Sequence, residues 1–342
     1  MIPVFPAVTY PNHWSMVTGV YPETHGVIEN YMYDPSTDEY FSIFDDSVYD
    51  AYWYGAEPIW ETYSKYGGVS ASLFYPGSYC DGLMPTYSIP PDDSMTYSDR
   101  INQIMEWLKM DDNDRPRLIT IYFSAIDSAG HESGTNSPLL RDSINSIDEA
   151  LGDLFDKVNE LDISDSINYL IVSDHGMTNV DETQVIYLDD FIDLDNDADV
   201  ITWGTFISIR ALYGRSAQLY YQLQTMEHAI IYEKDSIPIE YHYTFNDRIP
   251  DIVIIAEEGW YITSRERGNM DYKTGDHGYI PSNPSMSSFL LASGDIFVEG
   301  YESNTIIENI HLYSLMGKIL NIGVAPNNGT WVSLCPLLNN QC

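Results

Sequence analysis

Hydrophobic positions fall along this chain in two rhythms. Over residues 142–161, apolar side chains recur at Ile144, Ile147, Leu151, Leu154, Phe155 and Val158 with charges between them, the spacing of an amphipathic helix lying on a sheet. Over 118–125 and 167–172 the pattern changes to short, continuous, β-rich apolar runs, as expected of buried strands in a parallel sheet. Further helices are predicted over 10–19, 60–66, 97–109 and 307–320, while 79–91 reads as loop. Residues 202–212, 216–226 and 241–253 read as strand, helix and strand, a small β-α-β insertion on the main sheet. The sum is an α/β fold with a mostly parallel central sheet flanked by helices.

The first of these helices carries Pro11 in its opening turn, which puts Thr9 at the N-cap or one residue before it. A hydroxyl there meets unpaired N–H groups and the positive end of the helix dipole, a setting that favours an alkoxide and attracts phosphate. Taken alone, a threonine in this place is a cap. Downstream, however, lie Asp127 and His131 in YFSAIDSAGHESG, Asp174 and His175 in LIVSDHGMT, and His277 in YKTGDHGY. The first two groups follow the apolar runs, so they emerge where strands end, the edge at which α/β sheets bind ligands. Asp127 and His131 are four apart in a predicted loop with Gly130 and Gly134, a spacing able to turn both onto one ion. Asp174 and His175 are adjacent, so the strand must stop before them if they are to share a metal. His13, His25, His228, His242 and His311 read as structural, with His13 packing beside the first helix.

Composition narrows the function. A chain of 342 residues can bury roughly 75% of its unfolded surface, and one large domain is the default. With 52 Asp and Glu against 15 Lys and Arg, a formal charge of −37, nucleic-acid backbones and anionic membrane surfaces are excluded as partners. Attraction for a phosphate ester would have to come from bound cations. The acidic stretch 189–199 lacks the glycine and terminal glutamate of an EF-hand, so it reads as solvated loop. Cys335 and Cys342 could close a small terminal loop, which leaves Cys80 odd. Asn328 heads one glycosylation sequon, and there is neither a signal-peptide pattern nor an apolar run near the roughly 20 residues of a membrane span.

The ordered blocks PVFPAVTYPNHW, VTGVYPETHGVIEN, GAEPIW, YFSAIDSAGHESG, SDHGM, DRIPDIVIIAEEGWYI, GDHGY and YSLMGKILNIGVAPNNGT run almost end to end. In them the chain resembles the nucleotide pyrophosphatase/phosphodiesterase family, the type I phosphodiesterases of the alkaline phosphatase superfamily. The resemblance implies an alkaline-phosphatase-like catalytic domain over 1–330, with 200–270 as the insertion and 331–342 as a tail. It implies two zinc ions, one held by Asp127, His131 and His277, the other by Asp174, His175 and the oxygen of Thr9. Thr9 would be the nucleophile, Asn30 would contact a phosphate oxygen, and Tyr10, Tyr75 and Tyr122 would line the substrate pocket. The family's remaining zinc ligand, an aspartate following a strand, would lie upstream of Met1, so a truncated form is expected. A sulfatase is excluded, because TYPNH lacks the cysteine or serine and the arginine of that group. The expected reaction is hydrolysis of nucleotide phosphodiester or pyrophosphate bonds through a threonyl phosphate; the alternatives are choline phosphodiesters as substrates, or an inactive fragment. The expected location is extracellular, at the cell surface or in the endolysosomal lumen, with membrane contact only through segments outside this chain.

Overall fold

In the computed structural model, which describes residues 1–268, 272–303 and 305–339, the chain starts in the interior. Helix α1 (Thr9–Thr18) is buried along its whole length, and TYPNHWSMVT has no Asp, Glu, Lys or Arg to oppose that. Its Trp14 and Val17 belong to one apolar cluster and its Met16 to another, so α1 joins the two. Gly19, at φ +70°, ends the helix and returns its N–H to Ser15. Thr9 is the first helical residue and not the cap, a correction to the sequence expectation. Val8 holds the N-cap position without a side-chain bond, and the Thr9 hydroxyl is left to face His175.

A short helix α2 (Pro22–His25) leads into the hairpin of β1 (Tyr31–Asp34) and β2 (Glu39–Ser42). Then come α3 (Ile59–Lys65), β3 (Ser70–Leu73), β4 (Tyr87–Ile89), α4 (Tyr97–Leu108) and β5 (Leu118–Ile121), with strand order β4-β3-β5 and every pair parallel. β4 lies within the segment read as loop, since three residues are too few to show a period. β5 stops at Ile121, and helix α5 (Ala125–Ser133) follows. Asp127 and His131 therefore sit one helical turn apart on one face, not in a loop. Helix α6 (Pro138–Asn159) starts earlier than its apolar spacing suggests because Ser137 caps it, accepting from Leu140 N–H, with Pro138 in the first turn.

β6 (Tyr169–Val172) precedes the short strands β7 (Thr178–Asn179) and β8 (Val185–Tyr187). The segment expected to be an insertion holds β9 (Ala198–Val200), β10 (Phe206–Ala211), α7 (Ser216–Leu223), β11 (Ala229–Glu233) and β12 (Ile252–Ala256), the strands in an antiparallel sheet of order β11-β12-β10-β9. It is thus richer than β-α-β, and the strand expected over 241–253 begins only at Ile252; the turn Ile239–Tyr241 and His242 at φ 47° precede it. β13 (Tyr261–Thr263) pairs parallel with β8, β14 (Gly275–Asp276) antiparallel with β7, and β15 (Leu290–Ser293) antiparallel with β6. The sequence placed β6 in a parallel sheet; its described partner is antiparallel. Helix α8 (His311–Ile319) packs against α1.

Between the free edges of β5 and β6 lies a cavity of about 210 Å³, lined by Leu118, Ile121, Leu170 and Val172 with Met16 and Met316. The acidic stretch is less solvated than expected, for Asp190 pairs with Arg265 at 2.6 Å and the buried Asp197 pairs with Arg215. Cys80 is a buried free thiol, pushed up to about 12 by burial. The pairing of Cys335 with Cys342 falls on Cys342, outside the described residues.

Candidate active site

Helix α5 and strand β14 bring three acceptor atoms to one point. Asp127 Oδ1 is 3.4 Å from His131 Nε2 and 3.6 Å from His277 Nε2, and the donor atoms of this set lie within 4.8 Å of one another. His131 Nδ1 donates to the carbonyl of Gly275 at 2.9 Å and His277 Nδ1 to that of Ala7 at 3.0 Å. A carbonyl can only accept, so each Nδ1 carries the proton and each Nε2 turns its lone pair toward Asp127. Asp127 Oδ1 is buried without a hydrogen-bond partner. A carboxylate oxygen and two oriented imidazole lone pairs, with no proton among them, fit a divalent cation. Electrostatics agree. Burial pushes the Asp127 carboxyl up against the pull of His131 and His175, and burial, with His175 and His131, holds His277 well below its usual range.

The second group forms where β6 ends. Gly176 donates to the Met286 carbonyl, and a Cβ on it would lie 2.0 Å from the Ser285 carbonyl oxygen. That close approach turns the chain just past the strand, so Asp174 and His175 converge. His175 Nδ1 donates to Gly176 O at 2.9 Å, and its Nε2 faces Thr9 Oγ1 at 3.3 Å and Asp174 Oδ2 at 3.2 Å. Burial would lower His175, but Asp174, helped by Asp127, carries it up to about 9. Burial equally opposes the Asp174 charge, yet His175 and His13 hold that carboxyl well below the usual range. This seat favours positive charge. The rings of His175 and His277 stack at 3.7 Å between centroids, so the two groups are contiguous.

Two residues escaped the sequence reading. His13 Nδ1 donates to Thr9 O at 2.8 Å and lies 3.4 Å from Asp174 Oδ2, tying α1 to the second group; its place one turn after Thr9 was the available signal. Asp276 accepts from His277 N–H at 2.9 Å and stands 3.5 Å from His131 Nδ1, and its adjacency to a histidine repeats the Asp174–His175 pattern. Among the expected pocket residues, Asn30 Oδ1 accepts from Tyr10 N–H at 2.9 Å, which fixes it beside the N-terminus of α1 and leaves its NH2 group as the donor. Tyr122 meets the His13 ring edge-on and feels the charges of Asp174 and Asp127. Tyr10 and Tyr75 stand behind the site: both are buried, with hydroxyls bonded to the Tyr79 hydroxyl and the His13 carbonyl.

Residues 1–280 match the family model for type I phosphodiesterase / nucleotide pyrophosphatase. The chain belongs to this family. Ectonucleotide pyrophosphatase/phosphodiesterase family member 5 of Homo sapiens is 33% identical over 344 residues, covering 98% of this chain and 70% of that protein. A bis(5'-adenosyl)-triphosphatase of Bos taurus is 34% identical over 348 residues, with 99% and 74% covered. The solved murine family member 5 superimposes with a TM-score of 0.94 at 32% identity, over 99% of this chain and 90% of that one. The same murine protein as an inactive threonine-to-alanine variant, in complex with AMP, gives 0.93. The fold is thus α/β of the alkaline-phosphatase-like kind, and the chain is a hydrolase of the phosphodiester and pyrophosphate class. No described helix is long and apolar enough to cross a membrane.

Proposed function

We propose that this chain hydrolyses phosphodiester and pyrophosphate bonds in nucleotides, using two zinc ions and a covalent phosphothreonine at Thr9. The observation that carries the reading is the hydroxyl of Thr9 at the start of α1, facing His175 Nε2 at 3.3 Å beside two stacked donor groups. Asp127, His131 and His277 would hold one ion; Asp174, His175 and Thr9 Oγ1 would hold the other. Bound there, zinc offsets phosphoryl charge, eases loss of the hydroxyl proton and stabilises the departing oxygen.

The chain's own residues do the rest. The dipole of α1 puts partial positive charge behind Oγ1, and Asn30 offers its NH2 group to a phosphoryl oxygen. Tyr122 supplies an aromatic ring against which a base can pack. Thr9 Oγ1 attacks phosphorus in line: the new O–P bond forms as the bond to the leaving oxygen breaks, and the hydroxyl proton passes to solvent. Water then attacks phosphorus, the bond to Oγ1 breaks, Thr9 regains a proton and a nucleoside monophosphate departs. The AMP complex of the murine relative and the name of the bovine one support a nucleotide substrate. On this reading residues 1–330 are the catalytic domain and 331–342 its tail, working outside the cell, at its surface or in the endolysosomal lumen.

The test compares turnover of a nitrophenyl ester of thymidine monophosphate with that of glycerophosphocholine by the zinc-loaded protein. The nucleotide ester is expected to be the better substrate; preference for the choline ester would replace nucleotides by lipid headgroups in the reading. Thr9→Ala is expected to lose about 1,000-fold or more of the turnover while still binding zinc, and Thr9→Ser to keep part of it. Near-normal turnover by the alanine variant would exclude Thr9 as nucleophile.

A further inference from the structure

Asn12 has no part in the chemistry above, yet its side chain, fully buried in α1, makes all four of its hydrogen bonds. Oδ1 accepts from Val4 N–H and from Asn309 Nδ2, both at 2.8 Å. Nδ2 donates to the carbonyls of Pro6 at 2.9 Å and Val8 at 2.8 Å. A backbone N–H on one side and two carbonyls on the other leave the amide a single orientation.

A satisfied core asparagine would be explanation enough if these bonds went to scattered partners. They converge instead on one residue. Pro6 and Val8 flank Ala7, whose own carbonyl accepts from His277 Nδ1 at 3.0 Å, so three successive carbonyls turn to Asn12, His277 and Asn12. Val8 is the N-cap of α1 and Thr9 its first residue. Nor are the two bonds needed to satisfy the carbonyls, since Pro6 O also accepts from Val8 N–H at 2.8 Å and Val8 O from Asn12 N–H at 3.3 Å. What the amide adds is direction. The backbone of His277 is anchored separately, its N–H on Asp276 and its carbonyl under the Thr205 hydroxyl; the hydrogen bond that aims its ring is the one to Ala7.

We propose that Asn12 is a positioning residue that sets the Thr9 hydroxyl and the His277 imidazole in one frame. By gripping both sides of Ala7 it fixes the carbonyl that holds His277 Nδ1–H, and with it the direction of Nε2 toward Asp127; by the same bonds it fixes the entry of the chain into α1 at Thr9. This rests on the function proposed above and adds to it a residue that acts through the backbone on two of its members. A misplacement of about 1 Å at reacting groups costs on the order of 100-fold in rate. Asn30 and Tyr122, the proposed substrate contacts, lie outside this loop, so the cost falls on kcat and not on KM.

The experiment compares Asn12→Ala and Asn12→Ser with Leu219→Ala, which empties a buried position of α7 and destabilises the fold away from the loop. With zinc-loaded protein and the nitrophenyl ester of thymidine monophosphate, Asn12→Ala is expected to lose about tenfold or more in kcat, with KM within about twofold. Asn12→Ser, whose hydroxyl can still donate to the carbonyl four residues back, recovers part of the loss, and Leu219→Ala keeps its kcat. A second readout needs no turnover. In protein carrying isotopically labelled histidine, the Nδ1–H resonance of His277 is expected to move upfield in both Asn12 variants as its bond to Ala7 O lengthens, while that of His131, which donates to Gly275 O, stays in place. A kcat loss no larger than that of Leu219→Ala, or an unmoved His277 resonance, overturns the proposal. If the wild type hydrolyses no ester but the resonance moves, the reaction falls and the placement stands. Should neither Asn12 variant fold, Asn309→Ala, which takes one bond from Asn12 Oδ1 and leaves the loop intact, is read by the same resonance, and no movement there overturns the proposal.

Discussion

Asp127 Oδ1 is a buried acceptor without a hydrogen-bond partner, and the Nε2 atoms of His131 and His277 face it, an arrangement that suits a cation. His277→Ala is accordingly expected to remove most of one of two zinc equivalents while leaving the fold intact; elemental analysis returning two full equivalents would refute the assignment. Glu29 poses a separate problem. It is buried, its Oε1 accepts from Asn30 N–H at 3.0 Å, its Oε2 has no partner, and burial pushes its pKa up to about 8 from 4.5. Between those values the folded chain holds a proton that the unfolded chain has lost. Stability therefore falls as pH rises from 4.5 through 8, by at most about 1.4 kcal/mol per pH unit. Glu29→Gln keeps the acceptor and removes the penalty. Its melting temperature should match that of the wild type at about pH 5 and exceed it increasingly toward pH 8; a gap that does not change with pH would show that Glu29 is not protonated in the fold.

At the scale of elements, the site depends on how closely β14 meets α5. A Cβ built on Gly275 would lie 2.5 Å from the Gly130 carbonyl oxygen, so Gly275→Ala must push strand from helix. The expected result is a loss of about 1–3 kcal/mol in stability, with weaker zinc retention because His131 and His277 ride on the two parts. Unchanged zinc affinity in a destabilised variant would detach the ligand geometry from this contact. Helices α4, α6 and α8 were legible in the sequence from their apolar spacing, and β5 and β6 from their continuous apolar runs. Helix α5 was not, because AIDSAGHES has two small turn-forming residues and a glycine, and its helicity comes from packing on α6 and β14. β4, β7 and β14 are two or three residues long, below any period. The proposed ligand residues were readable as motifs, whereas His13 and Asp276 act through bonds to backbone atoms, for which one-turn spacing from Thr9 and adjacency to a histidine were the only signs.

For the molecule as a whole, a formal charge of −37 is a standing repulsion. Salt screens it, so the melting temperature should rise between about 20 mM and about 500 mM NaCl; a fall would mean that attractive pairs such as Arg248 with Asp34 outweigh the net charge. The cavity between β5 and β6 bears on the chemistry in another way. Asp127 and His131 follow the end of β5, Asp174 and His175 follow the end of β6, and no described backbone hydrogen bond joins those strands. The two strands are the jaws of a caliper, with Met16 and Met316 lining the gap and the rings of His175 and His277 stacked beyond it. Trimming or enlarging either methionine is expected to reset the gauge, so that the residues proposed to hold zinc register the change although none of them has been touched.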